Sequence, residues 1–206
     1  MSRAVAHARW VEHANGVNPS PEMRGWLTDR VSLTVKLIAR STRFRVHCLT
    51  QRPGLCLTDE LAAVQLQRRA RVQEREVLLE CDNVPVVFAH TIVPLNATAS
   101  DWPFFSALGE RSLGTTLFGD PQVVRGALHF ARLRSEHPLA RRACQALGVD
   151  QLDGPLYARR CLFRRKNGLL LVTEVFLPAI TDIGKRSKAL KKTVPAAEHA
   201  LVDMAS

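Results

Sequence analysis

The sequence predicts a single α+β domain, an antiparallel β-sheet with helices packed on it, and three observations lead there. Of its 206 residues 46% are apolar, enough to close a core in one domain of ordinary size. Two pairs of apolar-rich runs are each joined by a short turn sequence, as antiparallel hairpins require. A few helical patterns fall between the strands, without the regular strand–helix alternation that builds a parallel sheet.

Taken in order, residues 1–20 are polar, run into Asn18-Pro19-Ser20-Pro21 and form an N-terminal extension. The domain proper spans 21–180. A short helix is expected from Glu22 to Leu27, followed by the apolar and basic stretch Ser32-Leu33-Thr34-Val35-Lys36-Leu37. Residues 42–49 largely alternate polar with apolar and read as a strand. Thr58 is placed to cap a helix running to about Arg68. Residues 72–80 and 84–93 flank Cys81-Asp82-Asn83 as a hairpin. Residues 101–119 read as helical and then looped, and 122–131 as a strand. A helix from Leu139 to Leu147 ends at Gly148, a residue suited to the left-handed helix terminus. A second hairpin joins 157–165 to 169–177 across Lys166-Asn167-Gly168, where Asn-Gly tolerates the positive φ of a tight turn. Residues 181–206, with five positive charges between Lys185 and Lys192, read as a basic, flexible tail.

The net charge of +10 invites a nucleic-acid or membrane-surface reading. Against it, only 6% of residues are aromatic, so no stacking stripe is present, and half of that charge excess falls in residues 185–192. Five cysteines, widely spaced and without a C-x-x-C pair, argue for reduced thiols. The N-terminus lacks the apolar segment of a secretory signal, and no apolar run approaches the ~20 residues of a membrane span. The chain therefore reads as cytoplasmic, with no stable membrane insertion. The seven histidines show no metal-binding spacing, so a metal site is not expected. Phosphate-binding, dinucleotide-binding and serine-hydrolase motifs are missing.

Strand parity isolates two charged residues. Along 72–80, Glu74, Glu76 and Glu80 give one parity a solvated character, which leaves Arg75 among Val77, Leu79 and Cys81 on the inward face. It is there either as half of a structural ion pair, as an edge residue reaching water, or to meet an anion. Along 169–177 both parities are apolar, and Glu174 interrupts a surface of Leu170, Val172 and Phe176. A carboxylate in that setting is paired, Arg75 being one candidate, or raised in pKa for acid–base chemistry. The pairs Arg159-Arg160 and Arg164-Arg165 split across two faces and read as a solvated sheet edge.

Four stretches, in order, resemble the chorismate pyruvate-lyases of ubiquinone biosynthesis: Ser32-Leu33-Thr34; Arg75-Glu76-Val77-Leu78-Leu79 through His90-Thr91-Ile92-Val93-Pro94; Ser112-Leu113-Gly114-Thr115-Thr116-Leu117-Phe118; and Tyr157-Ala158-Arg159-Arg160 through Val172-Thr173-Glu174-Val175-Phe176-Leu177-Pro178-Ala179. The resemblance covers residues 22–180. It implies a monomer with a buried ligand cavity closed by flaps, and neither metal nor organic cofactor. It also implies conversion of chorismate into 4-hydroxybenzoate and pyruvate, the first committed step of that pathway. The family's ligand-contacting arginine and carboxylate fall on Arg75 and Glu174, and its backbone contacts on Leu33 and Leu113. Cys161 stands where the family commonly has serine. A sensing domain of the same fold, binding an aromatic carboxylate without catalysis, is the alternative.

Overall fold

The computed structural model describes residues 7–98 and 100–183; the basic run 185–192 lies outside the described residues. Six strands make one sheet: β1 (Phe44–Leu55), β2 (Arg71–Cys81), β3 (Val84–Pro94), β4 (Val123–Leu133), β5 (Leu156–Arg165) and β6 (Gly168–Phe176). Their order is β1-β2-β3-β6-β5-β4, and every neighbouring pair is antiparallel. Five α-helices accompany them: α1 (Pro21–Leu27), α2 (Leu33–Ile38), α3 (Leu95–Thr98), α4 (Leu113–Gly119) and α5 (Pro138–Leu147). The expected single-domain α+β architecture is the one observed. No helix among the described residues is long and apolar enough to cross a membrane.

Both hairpins form. Asp82 and Asn83 turn β2 into β3 with φ of 53° and 64°, the left-handed pair a two-residue hairpin turn favours. Asp82 Oδ1 also accepts the backbone N–H groups of Thr42 (2.9 Å) and Arg43 (2.8 Å), which ties the turn to the start of β1. The second hairpin turns one residue earlier than the Asn-Gly reading places it. Arg165 pairs with Gly168, the turn is Lys166-Asn167, and Lys166 takes the positive φ of 53°. Gly168 is needed for a different reason: a Cβ there would lie 2.5 Å from Asp101 Cβ and 2.9 Å from Trp102 Nε1.

Two layers cover the sheet. On one face α1 packs through Met23, Trp26 and Leu27, spaced at helical intervals, against Val77, Leu79, Ala89 and Phe176. Burying each of these large side chains is worth about 1.5–3 kcal/mol. Ser20 caps α1 by accepting Met23 N–H (3.2 Å), and Pro21 opens its first turn. Residues of the expected N-terminal extension join this layer: Val11 bridges Phe130 through two backbone hydrogen bonds, and Ala14 and Val17 are buried. On the other face α5 packs Leu139, Ala140 and Ala143 against Leu78, Phe88, Ala158 and Val175. Beyond the strands, Pro178–Asp182 forms a 3-10 turn that buries Ile180.

Three further readings of the fold need correction. Residues 58–65 are a series of turns, not a helix; Gln65 adopts φ 58°, and Glu60 faces inward to accept Leu57 N–H (2.9 Å). Between 101 and 119 the order is loop first and helix second: Trp102, Phe105 and Leu108 pin an irregular segment into the core before α4 begins. The acidic face of β2 is not solvated. Glu74 and Glu76 are buried because the 57–66 segment and α5 close over them.

Candidate active site

A cavity lies between the first face of the sheet and the short helices α2 and α4. Val46, Val77, Leu79, Ala89, Val172 and Phe163 make most of its wall apolar. Arg75, Glu174, Leu33 and Leu113 all line it, so the residues singled out from the sequence converge on one space. Leu33 and Leu113 open α2 and α4, and those helices are clasped across the mouth by Thr34 Oγ1 and Ser112 Oγ at 2.7 Å. Gly114 makes that approach possible, because a Cβ would meet Thr34 Oγ1 at 3.0 Å and Ser32 Oγ at 3.1 Å.

Arg75 and Glu174 do not pair with each other. Arg75 is 2% exposed, on β2 opposite Thr91 of β3. Its Nη2 donates to the carbonyls of Gly109 and Arg111, both at 2.9 Å, and the Cys48 thiol lies beside it. Its Nε is buried with no hydrogen-bond partner, and no carboxylate among the described residues forms an ion pair with it. Burial pulls its pKa below the ordinary guanidinium value, yet so strong a base keeps its charge. The result is a fixed cation whose N–H groups are partly satisfied by backbone and partly free for an anion.

Glu174, on β6, faces Ala89 on one neighbouring strand and Arg159 on the other. Arg159 Nε donates to Glu174 Oε2. Its Nη1 donates to the carbonyls of Trp26 (3.0 Å), Leu27 (3.3 Å) and Asp29 (2.8 Å), groups left over where α1 ends. A cation at a helix C-terminus is favoured by the aligned peptide dipoles, and here it also orients a carboxylate. This corrects the solvated-edge reading: β5 lies inside the sheet, and Arg159 is 2% exposed. Its parity partners Cys161 and Phe163 carry the same inward signal that marked Arg75, but the strand had been placed at an edge. Arg160, on the other face, donates to Asp59 O (2.8 Å) and stacks 4.3 Å over Trp10.

Arg125 is a further lining residue that sequence reasoning did not single out. It extends from β4, donates to Arg30 O through Nη1 and lies 5.2 Å over the Phe118 ring. The arrangement can therefore bind a small anionic molecule in an apolar chamber, with cations fixed in place and one oriented carboxylate near them.

The opposite face holds the group of side chains whose spacing could accept a metal ion, Glu74, Glu76 and His90. That group already contains a cation: Arg142 Nη1 lies 3.0 Å from Glu74 and 2.6 Å from Glu76. His90 is fully buried between Glu76 and Glu60, each at 3.1 Å. Burial opposes its charge, but the Glu60 and Glu76 carboxylates prevail and push its pKa up to about 10.

Comparison with known proteins first gives the fold. The structure is similar to PhnF from Mycobacterium smegmatis, with a TM-score of 0.50 over 73% of this chain and 65% of that one, at 15% identity. Sequence comparison then gives the family. The chorismate lyase family model matches residues 4–186. A protein of Ralstonia nicotianae named "Probable chorismate pyruvate-lyase" is 48% identical over 86% of this chain and 85% of its own length. One of the same name from Nitrosomonas europaea is 43% identical over 82% and 93%. The chain belongs to the chorismate lyase family and is a lyase.

Proposed function

We propose that this protein is a chorismate pyruvate-lyase that converts chorismate into 4-hydroxybenzoate and pyruvate, the first committed step of ubiquinone biosynthesis. It works as a cytoplasmic monomer without metal or organic cofactor. The observation that carries the reading is Arg75, a buried cation with no carboxylate partner among the described residues, in an apolar cavity shared with Glu174.

In this reading Arg75 holds the ring carboxylate, Glu174 accepts a hydrogen bond from the ring hydroxyl, and the backbones of Leu33 and Leu113 contact the ligand. The bond between ring carbon and enolpyruvyl oxygen breaks, its electron pair going to the oxygen. The hydrogen on the hydroxyl-bearing carbon leaves as a proton, and the departing enolate gains a proton to become pyruvate. Aromatisation supplies the driving force, so the protein's task is positioning and electrostatics in a dry chamber. Arg159 acts through Glu174 as a positioning residue.

The test is incubation of the purified protein with chorismate alone, with both products followed. 4-Hydroxybenzoate and pyruvate appearing in equal amounts support the reading. Tight binding of 4-hydroxybenzoate with no turnover points to a sensing domain, and 3-hydroxybenzoate keeps the lyase but changes its regiochemistry. Glu174→Gln then separates two roles, since full turnover in that variant excludes Glu174 as an obligatory proton carrier.

A further inference from the structure

The cavity wall carries four ionisable charges in fixed places: Arg75, Arg125 and Arg159 against Glu174 alone. Glu174 is taken by Arg159 Nε, and Arg159 Nη1 goes to three carbonyls. Two guanidinium groups are left over. Arg75 gives Nη2 to two backbone carbonyls and Arg125 gives Nη1 to one; each has a buried Nε without a hydrogen-bond partner among the described residues, and in Arg125 the adjacent Nη2 is unpaired there as well. A carboxylate prefers to meet a guanidinium through two N–H groups, and an Nε with one Nη is such a pair.

The two sites differ in depth. Arg75 is enclosed on a central part of the sheet, whereas Arg125 is half-buried, reaches the loop before α2 through Arg30 and rests on Phe118, a ring 49% exposed. We infer that Arg125 is a second carboxylate receptor, so that the cavity selects a dicarboxylate lying with one anionic end deep and the other near the mouth. The inference rests on the function proposed above. There the ring carboxylate goes to Arg75, and Arg125 takes the carboxylate of the enolpyruvyl group. That places the leaving group beside a cation as negative charge develops on it, and nearer the mouth than the aromatic product.

The test compares a dianion with a monoanion. In Arg125→Gln the KM for chorismate rises about 10- to 100-fold, the worth of one charge-assisted hydrogen-bond pair, while inhibition by 4-hydroxybenzoate changes less than about 3-fold. Arg125→Lys recovers most of the loss in KM. Arg75→Gln weakens both ligands together. The inference is overturned if Arg125→Gln weakens both ligands equally, weakens 4-hydroxybenzoate more, or alters neither. Loss of the fold is separated by circular dichroism, so that equal weakening counts against the inference only in a variant that keeps the fold. Absence of turnover in the unsubstituted protein sinks the proposed function; normal turnover with an unchanged ratio sinks only the role of Arg125.

Discussion

On the first face of the sheet, Arg75 and Arg125 stand without carboxylate partners among the described residues, and apolar wall surrounds them. On the second face, five charged side chains from four segments (Glu60, Glu74, Glu76, His90 and Arg142) stand within ion-pairing distance of a neighbour of opposite charge. One strand, β2, contributes to both sets, with Arg75 beside Glu76, and on β3 the cavity-lining Ala89 stands next to His90. Charge left unmatched in a cavity costs stability and prepares a site for a ligand. Charge matched internally does the reverse: it holds the layers together and offers nothing to bind. The two faces thus separate function from framework by side-chain alternation alone.

The contrast can be broken most severely on the first face. Arg75→Gln is expected to lower kcat/KM for chorismate by about 100-fold or more, with the fold intact by circular dichroism. A substitution there that costs activity only through unfolding would remove the distinction. On the second face His90→Gln is expected to cost about 3–5 kcal/mol in denaturant unfolding, because buried Glu60 loses its cation and Glu76 keeps only Arg142. Activity per folded molecule should change far less.

The pH dependence sharpens the same point. His90 has a folded pKa of about 10, above the ~6.5 of an unfolded histidine. Its contribution to stability is therefore fully present below about pH 6.5 and is lost as pH rises toward 10. Unfolding measured from pH 6 to 10 should show this decline in the unsubstituted protein and a weaker one in His90→Gln. The smallest effect has the opposite sign: Arg75→Met should raise the melting temperature by about 2–4 °C, the shift that ~1 kcal/mol gives in a chain this size. A fall instead would mean that Arg75's bonds to Gly109 and Arg111 outweigh the cost of burying its charge.

What the sequence revealed and what it hid follow from range. Asp82-Asn83 announces its own turn because the constraint is local. Alternation located Arg75 and Glu174, since an isolated charge in a run of apolar residues needs no knowledge of its neighbours. Arg159 carried the same pattern and was missed, because whether a strand lies at an edge depends on where β6 docks. Glu74 and Glu76 looked solvated for a similar reason: their cover comes from Arg142 and Glu60, 68 and 14 residues distant from Glu74. Gly168 was noticed, but its close neighbours Asp101 and Trp102 belong to a segment far away in the chain.

The adjacency of Arg75 and Glu76 also bears on which length changes this protein can accept. Inserting or deleting one residue within β2 would present Glu76 to the cavity and Arg75 to Arg142, putting an anion where a carboxylate ligand binds and setting two cations together. Two failures would arise from a single event, and no point substitution could repair both. Length variation among descendants of this chain should therefore avoid the β2–β3 hairpin and collect in its outer loops, or come there in steps of two residues.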